Sequence, residues 1–244
     1  PRLMLEAEMK LEQGQPLEAL AILGTLRKEA GSHTAALRLE LRALQGAGRY
    51  AEIPPLVDQL VKRKVYGVPE GEFVRAAAHA QELAARVHDG EALRAYWARL
   101  SDAEQRMPKI ARAAARSFIA QGGGREAAEI IARALERDWD SDLVALYAEC
   151  RPADSAPQLQ QAERWVALHS GDATLLYALG TLCERTQLWG KAQTYLEASL
   201  ALDDTWRTRL ALGELFGRLG RDGEANAQLA AALKLALAEL ERHR

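Results

Sequence analysis

The side chains able to do chemistry are few and poorly placed for catalysis. Five histidines, His33, His79, His88, His169 and His243, are scattered along 244 residues. His79 and His88 stand nine apart, a spacing that does not put two ligands on one helical face. Cys150 and Cys183 have no second Cys or His at metal-ligand spacing. That argues against a zinc site or a disulfide framework and fits a reducing compartment. No G-x-S-x-G, H-E-x-x-H, P-loop or C-x-x-C motif occurs. The residues point to a protein without metal or catalytic groups, not an enzyme.

Charge patterning says more. Lys109, Arg112 and Arg116 fall at i, i+3 and i+7 with no acid among them. Three cations on one helical face suit a carboxylate. The same counting groups Thr174, Tyr177, Thr181, Glu184 and Arg185, and then Arg207, Leu210, Glu214 and Arg218. Helices that line a groove would make Lys109, Arg112, Arg116, Tyr177, Glu184, Arg185 and Arg218 partner-binding residues. An ordinary solvated helix face is the competing account of the same arginines. Lys62-Arg63-Lys64 either complements a helix C-terminus or touches anionic lipid.

These side chains need helices to position them, and the composition supplies helices. The chain holds 47 Ala and 38 Leu against 22 Val, Ile and Thr together, which disfavours strands. Charged residues are 27% and the net charge is −2, so no global field steers the chain onto nucleic acid. A patterned 48% hydrophobic content is incompatible with a disordered chain. No run of 18 apolar residues occurs. The chain opens at Pro1 without Met or a signal peptide, and reads as a fragment of a longer protein.

The helices repeat. Leu179-Gly180 recurs as Leu212-Gly213, Ala192 as Ala225, Leu196 as Leu229, and Ser199-Leu200 as Ala232-Leu233, every offset being 33. Small residues at Gly180 and Ala192 let two helices approach, with Leu196 expected to fill the space between pairs. Traced backwards, the second-helix anchors are Ala19, Ile53, Ala92, Ala127, Ala162, Ala192 and Ala225, at gaps of 34, 39, 35, 35, 30 and 33. Gly14-Gln15, Gly48-Arg49, Asp89-Gly90, Gly122-Gly123-Gly124, Trp189-Gly190 and Asp222-Gly223 read as the turns before them. A period near 34 with small-large-small helix pairs is the tetratricopeptide (TPR) pattern. The expectation is an all-α, right-handed, TPR-like helical-hairpin solenoid of about seven pairs. It divides into N-terminal pairs over 1–66, a linker and third pair over 67–107, and C-terminal repeats with a solvating cap helix over 108–244. Arg151 to Pro157 reads as a loop between two prolines.

Three elements carry a resemblance to a known family. They are Trp139-Asp140-Ser141-Asp142-Leu143-Val144-Ala145-Leu146-Tyr147, then Gln158-Leu159 with Ala162-Glu163-Arg164-Trp165 and His169, then Leu188-Trp189-Gly190-Lys191-Ala192 with Tyr195-Leu196-Glu197-Ala198-Ser199-Leu200. In this order, over about 135–235, they resemble the C-terminal region of the HemY family of haem-biosynthesis-associated membrane proteins. The resemblance implies a TPR region on the cytoplasmic face of the bacterial inner membrane, anchored by N-terminal segments outside this chain. It implies a non-catalytic scaffold or regulator whose partners are haem-biosynthesis enzymes. A haem or porphyrin carrier or sensor is the alternative it raises, with His169 or Cys183 as ligand; a generic TPR adaptor is another. Helix-end placement of His169 and core packing of Cys183 explain both residues without haem.

Overall fold

Glycine and proline punctuation cuts the Ala- and Leu-rich sequence into short helices joined by tight turns. The computed structural model describes residues 2–31 and 33–242, so His243 lies outside the described residues. Among the described residues there are fifteen α-helices, one 3-10 turn and no strand. The expected pairs are α1 (Arg2–Glu12) with α2 (Pro16–Ala30), and α3 (Thr34–Gly46) with α4 (Ile53–Lys62). Next come α5 (Val68–Ala85) with α6 (Gly90–Arg99), the single turn α7 (Asp102–Gln105), and α8 (Pro108–Ala120) with α9 (Gly124–Leu135). The last three pairs are α10 (Ser141–Glu149) with α11 (Ala156–His169), α12 (Ala173–Arg185) with α13 (Trp189–Leu202), and α14 (Trp206–Arg218) with α15 (Asp222–Arg242). The chain is therefore an all-α protein of TPR-type helical hairpins. It divides into two compact units, Pro1–Ser117 and Phe118–Arg244.

One backbone device ends most first helices. A residue with φ between 60° and 77° stops the helix, and the next N–H reaches back five residues to a carbonyl. The bonds are Gln15 N–H to Lys10, Arg49 to Leu44, Gly123 to Phe118, Leu188 to Cys183 and Arg221 to Phe216. This left-handed closure satisfies carbonyls that the helix end leaves open. Its residue is Gly14, Gly48 or Gly122 where the sequence reading put the turn. In the sixth and seventh pairs it is Gln187 and Gly220. Gly190 and Gly223 lie instead inside the first turns of α13 and α15, and Gly90 begins α6 behind the Asp89 cap. The expected turns shift there because the capping geometry, not the glycine itself, sets the boundary.

Of the seven second-helix anchors, six are buried and mark the core, while Ala92 is half-buried. Ala19, Leu23 and Leu26, then Ile53, Val57 and Leu60, then Ala127, Ile131 and Ala134, then Ala192, Leu196 and Ser199 are all buried at 0, +4 and +7. Leu196 does not separate pairs as expected. A Cβ on Gly180 would stand 2.5 Å from Leu196 Cγ, so this leucine fills the seam inside its own pair. Leu229 faces Gly213 in the same way, at 2.8 Å.

The last helix is no solvating cap. α15 is longer than its counterparts, at 21 residues, but it turns an apolar stripe outward. Leu233, Leu237 and Leu240 are 62%, 52% and 66% exposed. Between Ala230 and Leu240, Leu233, Leu237 and Leu240 share one face while Leu235 lies opposite, so no rotation of the helix hides all four leucines. No helix among the described residues is long and apolar enough to cross a membrane.

In the first unit a polar cluster is buried among these helices. His79 Nδ1 lies 2.9 Å from Tyr96 Oη, and its Nε2 lies 3.4 Å from Glu104 Oε1. Glu104 also closes the cap of α7 with Ser101. Burial pushes the His79 imidazole below its ordinary value, with Glu104 opposing.

Candidate partner-binding groove

The first helices of the last three pairs, α10, α12 and α14, bring their side chains to one cleft. Short polar caps start each: Asp140 accepts from Leu143 N–H, Asp172 from Thr174 and Leu175 N–H, and Thr205 from Thr208 N–H. Asp140 and Asp172 are 32 apart, one repeat, so the caps hold the helices in matching register.

α12 is tied to α10 at both ends. At the start, Asp172 Oδ2 accepts from Trp139 Nε1 at 2.8 Å and from Ser141 Oγ at 2.7 Å. Burial pushes this carboxyl up, but bonds from Ser141, Trp139 and the Leu175 and Thr174 N–H groups together hold it below the ordinary Asp value. At the end, the Arg185 guanidinium donates to Cys150 O and Ala148 O, both at 2.6 Å. Arg185 thus closes the open carbonyl end of α10 as a charged cap.

Between these ties lies a cleft of about 430 Å³ lined by Tyr177, Thr181, Glu184 and Arg185 of α12, Arg207, Leu210, Glu214 and Arg218 of α14, and Glu149 and Arg151 at the end of α10. Four of the expected binding residues, Tyr177, Glu184, Arg185 and Arg218, therefore meet in one place. Two of them are already engaged. Arg185 holds α10, and Arg218 Nε lies 3.2 Å from Glu184 Oε1. Glu184 is only 8% exposed, and burial pushes its carboxyl above the ordinary Glu value, with Arg218 opposing. That oxygen has no well-aligned hydrogen bond, so the contact with Arg218 is an ion pair without a directed N–H.

The cations without an ion-pair partner are different ones. Arg151 and Arg207 are exposed and make no ion pair among the described residues; Arg207 lies 5.4 Å from the Trp206 ring. Exposed Glu149 and Glu214 stand in the same cleft. Arg151 escapes the helix-face counting because a proline-flanked loop interrupts the repeat after Cys150. Subtracting one period of 32 from Thr181 does reach Glu149.

Lys109, Arg112 and Arg116 lie on α8, within the first unit. Lys109 Nζ sits 4.3 Å over the Phe73 ring, Arg112 is half-buried and engaged within the protein, and Arg116 is exposed. The α8 face thus offers Arg116 most openly, rather than three equivalent cations.

His169 ends α11, with its ring stacked on Trp139 at 3.6 Å and 9°. Trp139 meets Trp165 edge-on at 5.8 Å, and Trp165 meets Tyr147 at 4.8 Å. Cys183 is fully buried in α12, where burial pushes its thiol up to about 11. Burial pushes the equally covered Cys150 up to about 12. A thiolate at either position would be a charge without water. Both thiols should resist a water-soluble disulfide reagent at pH 8 in the folded protein, and two should react per chain in denaturant. Reaction of one equivalent under native conditions would contradict this burial.

No protein-family model matches the chain. No curated relative matches it. Among solved structures, it is similar to a chain of the APC/C hetero-tetramer Cut9-Hcn1, at 17% identity over 96% of this chain and 46% of that one, with a TM-score of 0.49. This chain thus spans about half the length of that one. It is also similar to a thermophilic TPR protein of Thermus thermophilus, at 20% identity over 98% of this chain and 93% of that one, with a TM-score of 0.30.

Proposed function

We propose that the chain is a non-catalytic protein-interaction module that docks a partner segment in the groove of α10, α12 and α14. The carrying observation is the convergence of Tyr177, Leu210 and the exposed Arg151 and Arg207 in one cleft of about 430 Å³. Carboxylates of the partner would take Arg151 and Arg207, while Tyr177 and Leu210 supply apolar contact. Glu149 and Glu214 in the same cleft penalise a segment that is acidic throughout, which narrows the choice to one with spaced acids.

The HemY-type motifs between Trp139 and Leu200 support a finer reading. In it the partners are enzymes of late haem synthesis, and docking occurs at the cytoplasmic face of the bacterial inner membrane. A generic adaptor would use the same groove, so partner identity separates the two. Capture of partners from cells producing the chain, followed by mass spectrometry, tests both levels. Arg151→Ala/Arg207→Ala should retain roughly a tenth or less of the specific partner, and binding should fall with added salt. Equal capture by the double variant would remove the groove from the account. A groove-dependent partner unrelated to tetrapyrrole synthesis would leave the generic adaptor.

A further inference from the structure

α15 carries a surface that its own hairpin does not use. Its counterpart one period earlier, α13, closes a pair in 14 residues, whereas α15 runs to 21. The seven added residues, 236–242, hold Leu237, Leu240 and Glu241. With Leu233 these two leucines form the exposed stripe, at 62%, 52% and 66% for Leu233, Leu237 and Leu240. At 3.6 residues per turn, steps of four and three keep all three within about 60° of arc, the spacing of a coiled-coil seam.

Two charges border the stripe on one side. Lys234 follows Leu233 and Glu241 follows Leu240, so both stand on the same flank of the seam, seven residues apart. Both are exposed, and neither makes an ion pair among the described residues. The other flank holds Leu229 and Ala236 and no charge.

This pattern is its own complement in one arrangement. When two copies of the helix run antiparallel about a two-fold axis at Leu237, Leu237 meets Leu237 of the partner subunit, and Leu233 meets Leu240 of the partner subunit. Like flanks then face each other, and Lys234 reaches Glu241 of the partner subunit, twice by symmetry. A parallel pair brings unlike flanks together. It sets both charges against Leu229 and Ala236 and satisfies neither.

We propose that α15 is a self-association helix: a second copy of this chain covers Leu233, Leu237 and Leu240 with its own antiparallel α15, in a register fixed by Lys234 and Glu241. The closed two-fold contact uses the whole stripe on both copies, so association stops at the dimer. None of the five residues lines the groove of α10, α12 and α14, so the dimer stands or falls independently of partner docking.

Three leucines per copy make a small interface, and the expected Kd is about 10–100 μM. Sedimentation equilibrium of the purified chain across that range should show the mass rising from the 26.8 kDa monomer toward twice that value. Leu237→Glu, at an exposed position, sets two acids against each other on the axis and should keep the chain monomeric with unchanged helicity. Lys234→Glu and Glu241→Lys, each alone, place like charges at both symmetric contacts and should weaken the dimer about fivefold or more. Mixed in equal amounts, the two variants recreate both opposite-charge contacts, so their heterodimer should regain the parent's affinity. A chain that stays monomeric throughout would assign the stripe to solvent or to a different protein. A dimer that survives Leu237→Glu would lie on another face. Charge variants that do not rescue each other would refute the antiparallel register. Each of these results overturns the proposal, and the mixture decides even if Leu237→Glu fails to fold.

Discussion

Gly124→Ala should lower the stability of the C-terminal unit by about 3 kcal/mol, or roughly 6–12 °C in Tm. A Cβ at Gly124 would stand 2.5 Å, 2.6 Å and 2.7 Å from C, O and N of Arg151. These are backbone atoms, so relief requires moving the chain that links α10 to α11 rather than turning a side chain. The same movement shifts Arg151, so partner binding should weaken along with stability. The other glycines in helix seams set the scale. At Gly180 the added carbon meets the fully buried Leu196 side chain, and Gly180→Ala should cost about 1–2 kcal/mol. At Gly213 it meets Leu229, which is partly exposed and free to swing. There the helical preference for Ala, about 1 kcal/mol, should nearly cancel the crowding. Thermal or urea unfolding of the three variants checks the order Gly124, Gly180, Gly213. A Gly124→Ala protein as stable as the parent would refute the close approach.

Asp172→Ala should cost a similar amount, about 3 kcal/mol. It removes a helix cap, at roughly 1 kcal/mol, and leaves Trp139 Nε1 and Ser141 Oγ without the carboxylate they donate to. Trp139 is also the ring on which His169 stacks, so the aromatic cluster between α10 and α11 should loosen. Near-ultraviolet circular dichroism reports that loss directly. The folded state holds this carboxyl below its ordinary value. Its contribution is therefore present in full above about pH 4, the ordinary carboxylate value, and lost as pH falls through the lower folded value. Asp172→Asn keeps the cap oxygen, so it should remove part of the acid sensitivity at smaller cost. An Asp172→Asn protein whose stability falls with acid just as the parent's does would show that this carboxylate plays no part.

How much of this was legible in the sequence depends on what each signal measures. The helical pairs were visible because burial forces small and apolar residues to recur at 0, +4 and +7, as at Ala192, Leu196 and Ser199. Turn positions were less so, since Gln187 adopts a left-handed backbone that its type does not advertise. The triple glycine shows the same limit. Read as one turn, it serves three needs: Gly122 takes the positive φ, a Cβ on Gly123 would meet Phe118 O at 3.1 Å, and Gly124 admits the Arg151 backbone. The first two are local, but the third is a contact across 27 residues, which leaves no mark on residue type.

The groove was half legible for the same reason. Helical spacing placed Tyr177, Glu184 and Arg185 on one face and Arg207, Leu210 and Arg218 on the next. It could not say that Arg185 spends its charge on α10 carbonyls or that Arg218 neighbours Glu184, because both contacts cross between helices. Arg151 came into view only once the loop after Cys150 was seen to return to the cleft. Spacing on α8 suggested one face of three cations, but Phe73 of another helix sits under Lys109.

Partner docking in this groove is tested most directly by site-specific photo-crosslinking in cells producing the chain. A photoreactive phenylalanine is placed at Tyr177 or Leu210 in the cleft, and at the exposed Glu197 on α13 as control. The account predicts a discrete crosslinked partner from Tyr177 and Leu210, absent from Glu197, and lost when Arg151→Ala/Arg207→Ala is added. Crosslinks that arise equally from Glu197, or that survive the double substitution unchanged, would contradict it.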